Sequence, residues 1–130
     1  MSVRRFVVDT STWIDFFSGQ EAPELEDALA AGTVVLSPVV VAELLSGAGS
    51  PAQRAALTDL LFDLPVHETP LPHWVRVGDL RRELRGQGIS VSTPDAHVAQ
   101  CALDHGSVLL SRDRVFERIA DLVGLQVRPG

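Results

Sequence analysis

The sequence predicts an α/β domain built on a mainly parallel sheet. Three observations support that expectation. Short apolar runs rich in β-branched residues alternate along the chain with stretches of helical periodicity, the pattern of helices crossing over a parallel sheet. The residues that follow the strands carry helix-capping chemistry. The chain has 130 residues and is 45% hydrophobic, which suits one core and leaves no room for a second domain; residues 1–130 are therefore read as a single domain.

Val3 to Val8 reads as the first buried strand. Asp9-Thr10-Ser11-Thr12 then supplies a helix N-cap, and Trp13, Phe16 and Phe17 fall on one helical face that ends at Gly19. A second helix runs from about Pro23 to Ala31, and Thr33 to Leu36 is a strand candidate. Ser37-Pro38 opens the next helix, with Ser as N-cap and Pro at the first helical position. It carries Glu43 and fades at Gly47 and Gly49. A helix over Pro51 to Phe62 precedes a short strand at Leu64 to His67. Leu71 to Arg85 has helical periodicity and ends at the turn Gly86-Gln87-Gly88. Thr93-Pro94-Asp95 starts a helix that stops before Gly106. Ser107 to Ser111 is a strand, Arg114 to Leu122 the last helix, and Leu125 to Val127 an edge strand. There is no repeat and no low-complexity segment.

The net charge is −6 and the pI about 5.0. Nucleic-acid binders are usually basic, so composition alone argues against that class unless bound divalent ions offset the acids locally. All 11 basic side chains are Arg. The single Cys101 excludes an intramolecular disulfide and a cysteine metal site, and reads as a small core hydrophobe. His67, His73, His97 and His105 show no zinc-type spacing, and His97 reads as a satisfied or exposed histidine. The N-terminus lacks the long apolar stretch of a signal peptide. The run from Val34 to Leu45 is too short to span a bilayer. The expected location is the cytoplasm, with no membrane partner.

Glu43 stands out because Val39 to Leu45 otherwise reads as buried, and no basic residue lies near it in sequence. A buried carboxylate needs a partner. Asp9, Asp95 and Asp113 are placed to converge on it, since Asp9 and Asp113 both follow strands and parallel sheets gather their sites at the carboxyl ends of strands. Each aspartate alone also serves as a helix cap or first-turn acid. Four crowded carboxylates repel one another and are relieved by a divalent cation. An all-oxygen donor set selects a hard ion, Mg²⁺ or Mn²⁺.

These residues form a recognisable pattern. Val7-Val8-Asp9-Thr10-Ser11-Thr12-Trp13-Ile14-Asp15 resembles the opening motif of PIN-domain ribonucleases, most closely their VapC toxin branch. Ser37 to Leu45 with Glu43, Ser92-Thr93-Pro94-Asp95-Ala96, and Leu110 to Phe116 with Asp113 resemble the second, third and fourth motifs. Each motif alone is weak; together, in order and across the chain, they are specific. The resemblance implies a three-layer α/β/α fold, with Asp9, Glu43, Asp95 and Asp113 as the metal-binding set and Ser11 and Ser111 as hydroxyls lining it. Where the family often has a second aspartate in the fourth motif, this chain has Val115, so one supplementary ligand is missing and one or two ions remain open.

What the resemblance implies about activity is hydrolysis of RNA, leaving a 5′-phosphate and a 3′-hydroxyl. It also implies a homodimer, and inhibition by an antitoxin whose tail places a basic side chain among the acids. Arg76, Arg81, Arg82 and Arg85, with Arg112 and Arg114 beside Asp113, are the candidate RNA-contacting residues; a solvated helix face explains the stripe equally well. Trp13, Phe16 and Phe17 read as core, with a partner groove as the alternative. Two rivals come from other classes. A phosphoacceptor signalling domain needs a lysine near its aspartate, and the chain has none. A degenerate module that dimerises and binds an antitoxin without cutting stays open.

Overall fold

The computed structural model describes residues 4–130. Three parallel strands form the sheet: β1 (Phe6–Val8), β2 (Val108–Leu110) and β3 (Gln126–Arg128), in the order β1-β2-β3. Among the described residues, seven helices surround it: α1 (Thr10–Phe17), α2 (Pro23–Ala30), α3 (Pro38–Ser46), α4 (Pro51–Leu61), α5 (Leu71–Gly86), α6 (Thr93–His105) and α7 (Arg114–Ala120). Val108, Leu109 and Leu110 are all fully buried. Successive strand residues face opposite sides, so both faces of the central strand are covered, as the expected layered α/β arrangement requires.

The two weaker strand expectations are corrected. Thr33–Leu36 and Leu64–His67 are not strands but contribute single parallel bridges, Phe6↔Val34 and Leu36↔Val66. The backbone at Val34 to Leu36 still bonds on both sides, through Val35 N to Phe6 O and Leu36 N to Pro65 O. These segments continue the sheet beyond β1 without enough consecutive pairs to make a ladder. The last strand begins one residue later than expected, and α7 stops at Ala120 rather than Leu122. Val3, included in the first expected strand, lies outside the described residues.

Local chemistry explains where the helices begin. Asp9, Ser37, Ser50, Ser92 and Asp113 each accept a backbone N–H of the first turn, replacing bonds the helix start lacks. Pro follows Ser37 and Ser50 directly and Ser92 after one residue, in each case within the first turn, where its missing N–H costs nothing. Gly106 ends α6 in the left-handed conformation, which an L side chain resists. Helix α6 is the central element of the core: Ala96 through Ala102 are all buried, and it packs on α3, α5 and the sheet. Because β1 and β2 are parallel neighbours, Asp9 and Asp113 leave the sheet at the same edge.

Candidate active site

Asp9 is the fixed point of the site. It is 6% exposed and caps α1 through Oδ1, which accepts the Thr12 N–H at 3.0 Å. Its Oδ2 accepts the hydroxyls of Ser111 at 2.6 Å and Ser11 at 3.0 Å. Ser111 in turn accepts the Asp113 N–H at 3.0 Å, tying the ends of β1 and β2 together. A carboxylate has about four lone-pair positions. Three are used here, so one remains for a cation while the side chain stays oriented.

Glu43 is placed differently from the expectation. It is exposed, not buried. Helix α3 buries only Val40 and Leu44 fully, at i and i+4; Val39, Val41 and Leu45 are half-covered, and Ala42 and Glu43 face outward. The apolar run is therefore a wide stripe rather than a closed sleeve. Glu43 is nonetheless held, because Thr10 Oγ1 donates to its Oε1 at 2.9 Å. The sequence reading missed Thr10 as a holder of Glu43: it sits within a run of capping hydroxyls and looked like part of the cap.

Asp95 lies half-buried in the first turn of α6, and exposed Asp113 caps α7 by accepting the Val115 N–H at 3.0 Å. The Asp95 carboxyl is raised above its ordinary value. Burial is the largest cause, and the charges of Asp113, Asp9 and Glu43 add to it against a lowering hydrogen bond from Ser92. Asp113, Asp9 and Glu43 are thus all near enough to Asp95 for their charges to act on its carboxyl. The repulsion is what a divalent cation removes, and the donor set is all oxygen. No three of the acids bring their oxygens within 4.8 Å of one another among the described residues. Val115, at the place of the missing acid, packs against the core.

The arginines divide. Arg76 is committed to Asp104, with bonds of 2.8 and 3.0 Å. Arg81 donates to the Val91 carbonyl at 2.8 Å. Arg112 spans the carbonyls of Glu21 and Gly130 at 3.1 and 2.9 Å. These three are engaged in bonds within the fold, two of them (Arg76 and Arg81) from the expected stripe and one (Arg112) from beside Asp113. Arg82, Arg85 and Arg114 are exposed and make no such bond among the described residues.

All four histidines gather on the other side of α6. His97 is fully buried, as a satisfied histidine: Nε2 meets Ser37 Oγ at 2.7 Å and Nδ1 meets His73 Nε2 at 2.7 Å. Burial, followed by the charges of His73 and His67, lowers its pKa to about 4. His67, stacked on His105, is lowered to about 4 by burial and His105, and its Nε2 has no hydrogen-bond partner among the described residues. Ligand atoms of His73, His97 and Cys101 lie within 4.8 Å of one another, although the single cysteine reads as excluding a cysteine metal site. The facing ring nitrogens of His73 and His97 already bond each other, and burial pushes the Cys101 thiol up to about 12. A thiolate ligand is disfavoured there. Cys101 is fully buried, as expected of a core residue.

Beside Glu43 a groove of about 330 Å³ opens between α1, α3 and α4, lined by Ile14, Phe17, Leu44, Ala48, Ala56 and Leu57 among others. Trp13 is fully buried and stacks on Phe17 at 5.8 Å, but Phe17 itself is 39% exposed and Ile14 52%. The aromatic trio is thus core at one end and groove wall at the other.

The PIN-domain sequence profile matches residues 6–122. The chain belongs to the PIN-domain family. Within it the likeness is to VapC proteins. The chain is 33% identical over 97 residues to Ribonuclease VapC2 of Haemophilus influenzae, covering 71% of this chain and 74% of that one. It is 28% identical over 128 residues to Ribonuclease VapC11 of Mycobacterium tuberculosis, covering 92% and 95%. The fold is shared with a chain of Rickettsia felis VapBC2 bound to a promoter DNA fragment, at a TM-score of 0.79, 19% identity and coverage of 95% and 97%. It is also shared with a chain of DNA-bound VapBC from Salmonella typhimurium, at 0.76, 23% and 98% of both chains.

Proposed function

We propose that this chain is a metal-dependent endoribonuclease and the toxin of a toxin–antitoxin pair, with residues 1–130 as one domain acting in the cytoplasm. The observation that supports the reading is the gathering of acids at the carboxyl end of the sheet: Ser111 links Asp9 to Asp113, Thr10 beside Asp9 holds Glu43, and the charges of all three act on Asp95. The relatives named as VapC ribonucleases support it.

The four acids would hold Mg²⁺ or Mn²⁺, as one ion or two. Such an ion, when bound, acidifies water and offsets the charge of the scissile phosphate. The chain's own contribution is preorganisation. Ser11, Ser111 and Thr12 fix Asp9, Thr10 fixes Glu43, and the helix starts of α1, α6 and α7 set the positions of Asp9, Asp95 and Asp113. A cation would favour ionisation of half-buried Asp95, whose carboxyl is raised by burial and by the neighbouring acids. The test is a fluorogenic single-stranded RNA. Cleavage in Mg²⁺ or Mn²⁺ that is silent in EDTA and in Glu43→Gln is expected; metal binding without any cleavage of cellular RNA would favour the non-cutting, antitoxin-binding alternative.

RNA contact falls to Arg82, Arg85 and Arg114. About three phosphate contacts give a slope of log affinity on log salt of roughly −2 for a single strand. Filter binding of RNA to Glu43→Gln across a salt series should show that shallow slope, and Arg82→Ala with Arg85→Ala should flatten it. A slope near that of six contacts would return the bonded arginines to the RNA path.

The groove beside Glu43 is the surface proposed for the antitoxin: its apolar wall suits an amphipathic segment, and its acidic end suits a basic side chain. Phe17→Asp is expected to weaken capture of the cognate antitoxin at least about tenfold, as loss of a central aromatic anchor does. Unchanged co-purification would place the antitoxin elsewhere. A homodimer is proposed on the family resemblance; exposed Phe62, Leu71 and Val75 are apolar surface available for it.

A further inference from the structure

A continuous buried hydrogen-bond chain joins the helix that carries Glu43 to the helix that carries Asp95. It begins at Ser37, the N-cap of α3, and passes through His97 of α6 and His73 of α5 to Asp104 at the end of α6. Ser37, His97 and His73 are 1%, 0% and 2% exposed. Asp104 is held by Arg76 and by Gln100 Nε2 at 2.8 Å.

With both rings neutral, the direction of every bond in this chain is determined. The Asp104 carboxylate only accepts, so His73 Nδ1–H donates to it at 2.8 Å. His73 Nε2 is then an acceptor, and His97 Nδ1–H donates to it at 2.7 Å. His97 Nε2 is left to accept the Ser37 hydroxyl proton at 2.7 Å, while Ser37 Oγ accepts the Val40 N–H at 3.3 Å as the cap of α3. This neutral-ring arrangement satisfies every link. Trp74 stacks on His97 at 4.7 Å and 10°, fixing the ring plane.

The position of the chain matters for the acids. His97 lies two residues after Asp95 on the same helix, and Ser37 lies six residues before Glu43, roughly 9 Å along the helix axis. Glu43 is exposed on its helix and restrained by the single Thr10 bond, so its distance from Asp95 depends on how α3 is anchored to α6. We infer that His97 is a positioning residue: through Ser37 it sets the start of α3 against α6 and so fixes the spacing of Glu43 and Asp95. His73 and Asp104 act as the support that orients the His97 ring. The inference rests on the proposed cation site, and neither histidine touches the ion.

The test measures Mn²⁺ binding to the full chain by the electron paramagnetic resonance of free Mn²⁺, at neutral pH, with folding checked by circular dichroism. His97→Phe keeps a flat ring against Trp74 and removes both bonds. It is expected to raise the Mn²⁺ dissociation constant roughly tenfold, the lower end of what supporting partners of metal ligands contribute. Leu84→Ala, a core truncation in α5 outside the chain, should lower Tm and leave that constant within about twofold, because cavity costs fall on stability. Ser37→Ala should weaken Mn²⁺ binding in the same direction, and Ser37→Thr, which keeps the hydroxyl, should restore it. These two variants carry the test even if His97→Phe does not fold. Native Mn²⁺ binding with unchanged affinity in Ser37→Ala and in any folded His97→Phe would overturn the inference and leave the cation site standing. Absence of Mn²⁺ binding by the native chain would overturn both.

Discussion

Asp9→Asn is expected to lower RNA cleavage by at least about a thousandfold, the scale on which a preorganised charge-stabilising group acts, without loss of stability. Asparagine caps a helix as well as aspartate does. Its Oδ1 can keep the Thr12 N–H, and its amide can donate to the hydroxyls of Ser11 and Ser111, which now accept. The fold therefore retains its local bonds while the site loses one charge and one cation ligand. Removing that charge also lowers the Asp95 carboxyl, which Asp9 helps to raise, so Tm without metal should hold or rise. Asp9→Ala is the less informative variant, because it also removes the cap at a cost of about 1 kcal/mol. Turnover by initial rate and Tm by circular dichroism check the prediction together. A stable Asp9→Asn with native turnover would remove Asp9 from the site.

Acid is expected to destabilise the fold steeply between pH 6.5 and 4, and the cause lies in the histidine cluster rather than the carboxylates. His67 and His97 are lowered from 6.5 to about 4. Around His67 stand His105, His73, Asp104 and Arg5; around His97 stand His73 and His67. The unfolded chain binds protons at these rings near pH 6.5 and the folded chain does not. Their stabilising contribution is therefore full above 6.5 and is lost as pH falls towards 4. At pH 4 the loss is roughly 3 kcal/mol per histidine, against about 5–15 kcal/mol of total stability for a typical domain. Asp95 works the other way: its raised carboxyl costs stability near neutrality and stops doing so once protonated. Urea midpoints at pH 7 and 4.5 should differ markedly, and His67→Phe should reduce the difference. Equal midpoints would mean that the two rings titrate normally in the folded chain.

The site was legible in the sequence to the extent that its parts are local. Asp9, Asp95 and Asp113 each sit beside their own cap or first turn, and a parallel sheet brings strand ends to one edge without any side-chain detail. The surroundings were not legible, because they depend on distant partners. Arg76 meets Asp104 across 28 residues and Arg112 meets Gly130 across 18, and these bonds distinguish the engaged arginines from those proposed to contact RNA. His97 and Ser37 are 60 residues apart; each had a sufficient local explanation, as a satisfied ring and as a cap, and their pairing leaves no periodic trace. Glu43 shows the limit of reading burial from composition. A nine-residue helix with only Val40 and Leu44 fully buried leaves an outward face even in an apolar run. Likewise, Thr33–Leu36 and Leu64–His67 had strand composition, but pairing is non-local, and they supply only isolated bridges, two from the first segment and one from the second.

The most direct test of the account is calorimetric titration of Mn²⁺ into the native chain and into Asp9→Asn, Glu43→Gln, Asp95→Asn and Asp113→Asn, each in EDTA-stripped buffer. If the four acids form one cation site, the native chain binds Mn²⁺ and each substitution weakens that binding, by roughly tenfold or more as a lost charged ligand does. Native affinity in any of the four would remove that acid from the site. A native chain that binds no Mn²⁺ would contradict the account of the acids as a metal centre.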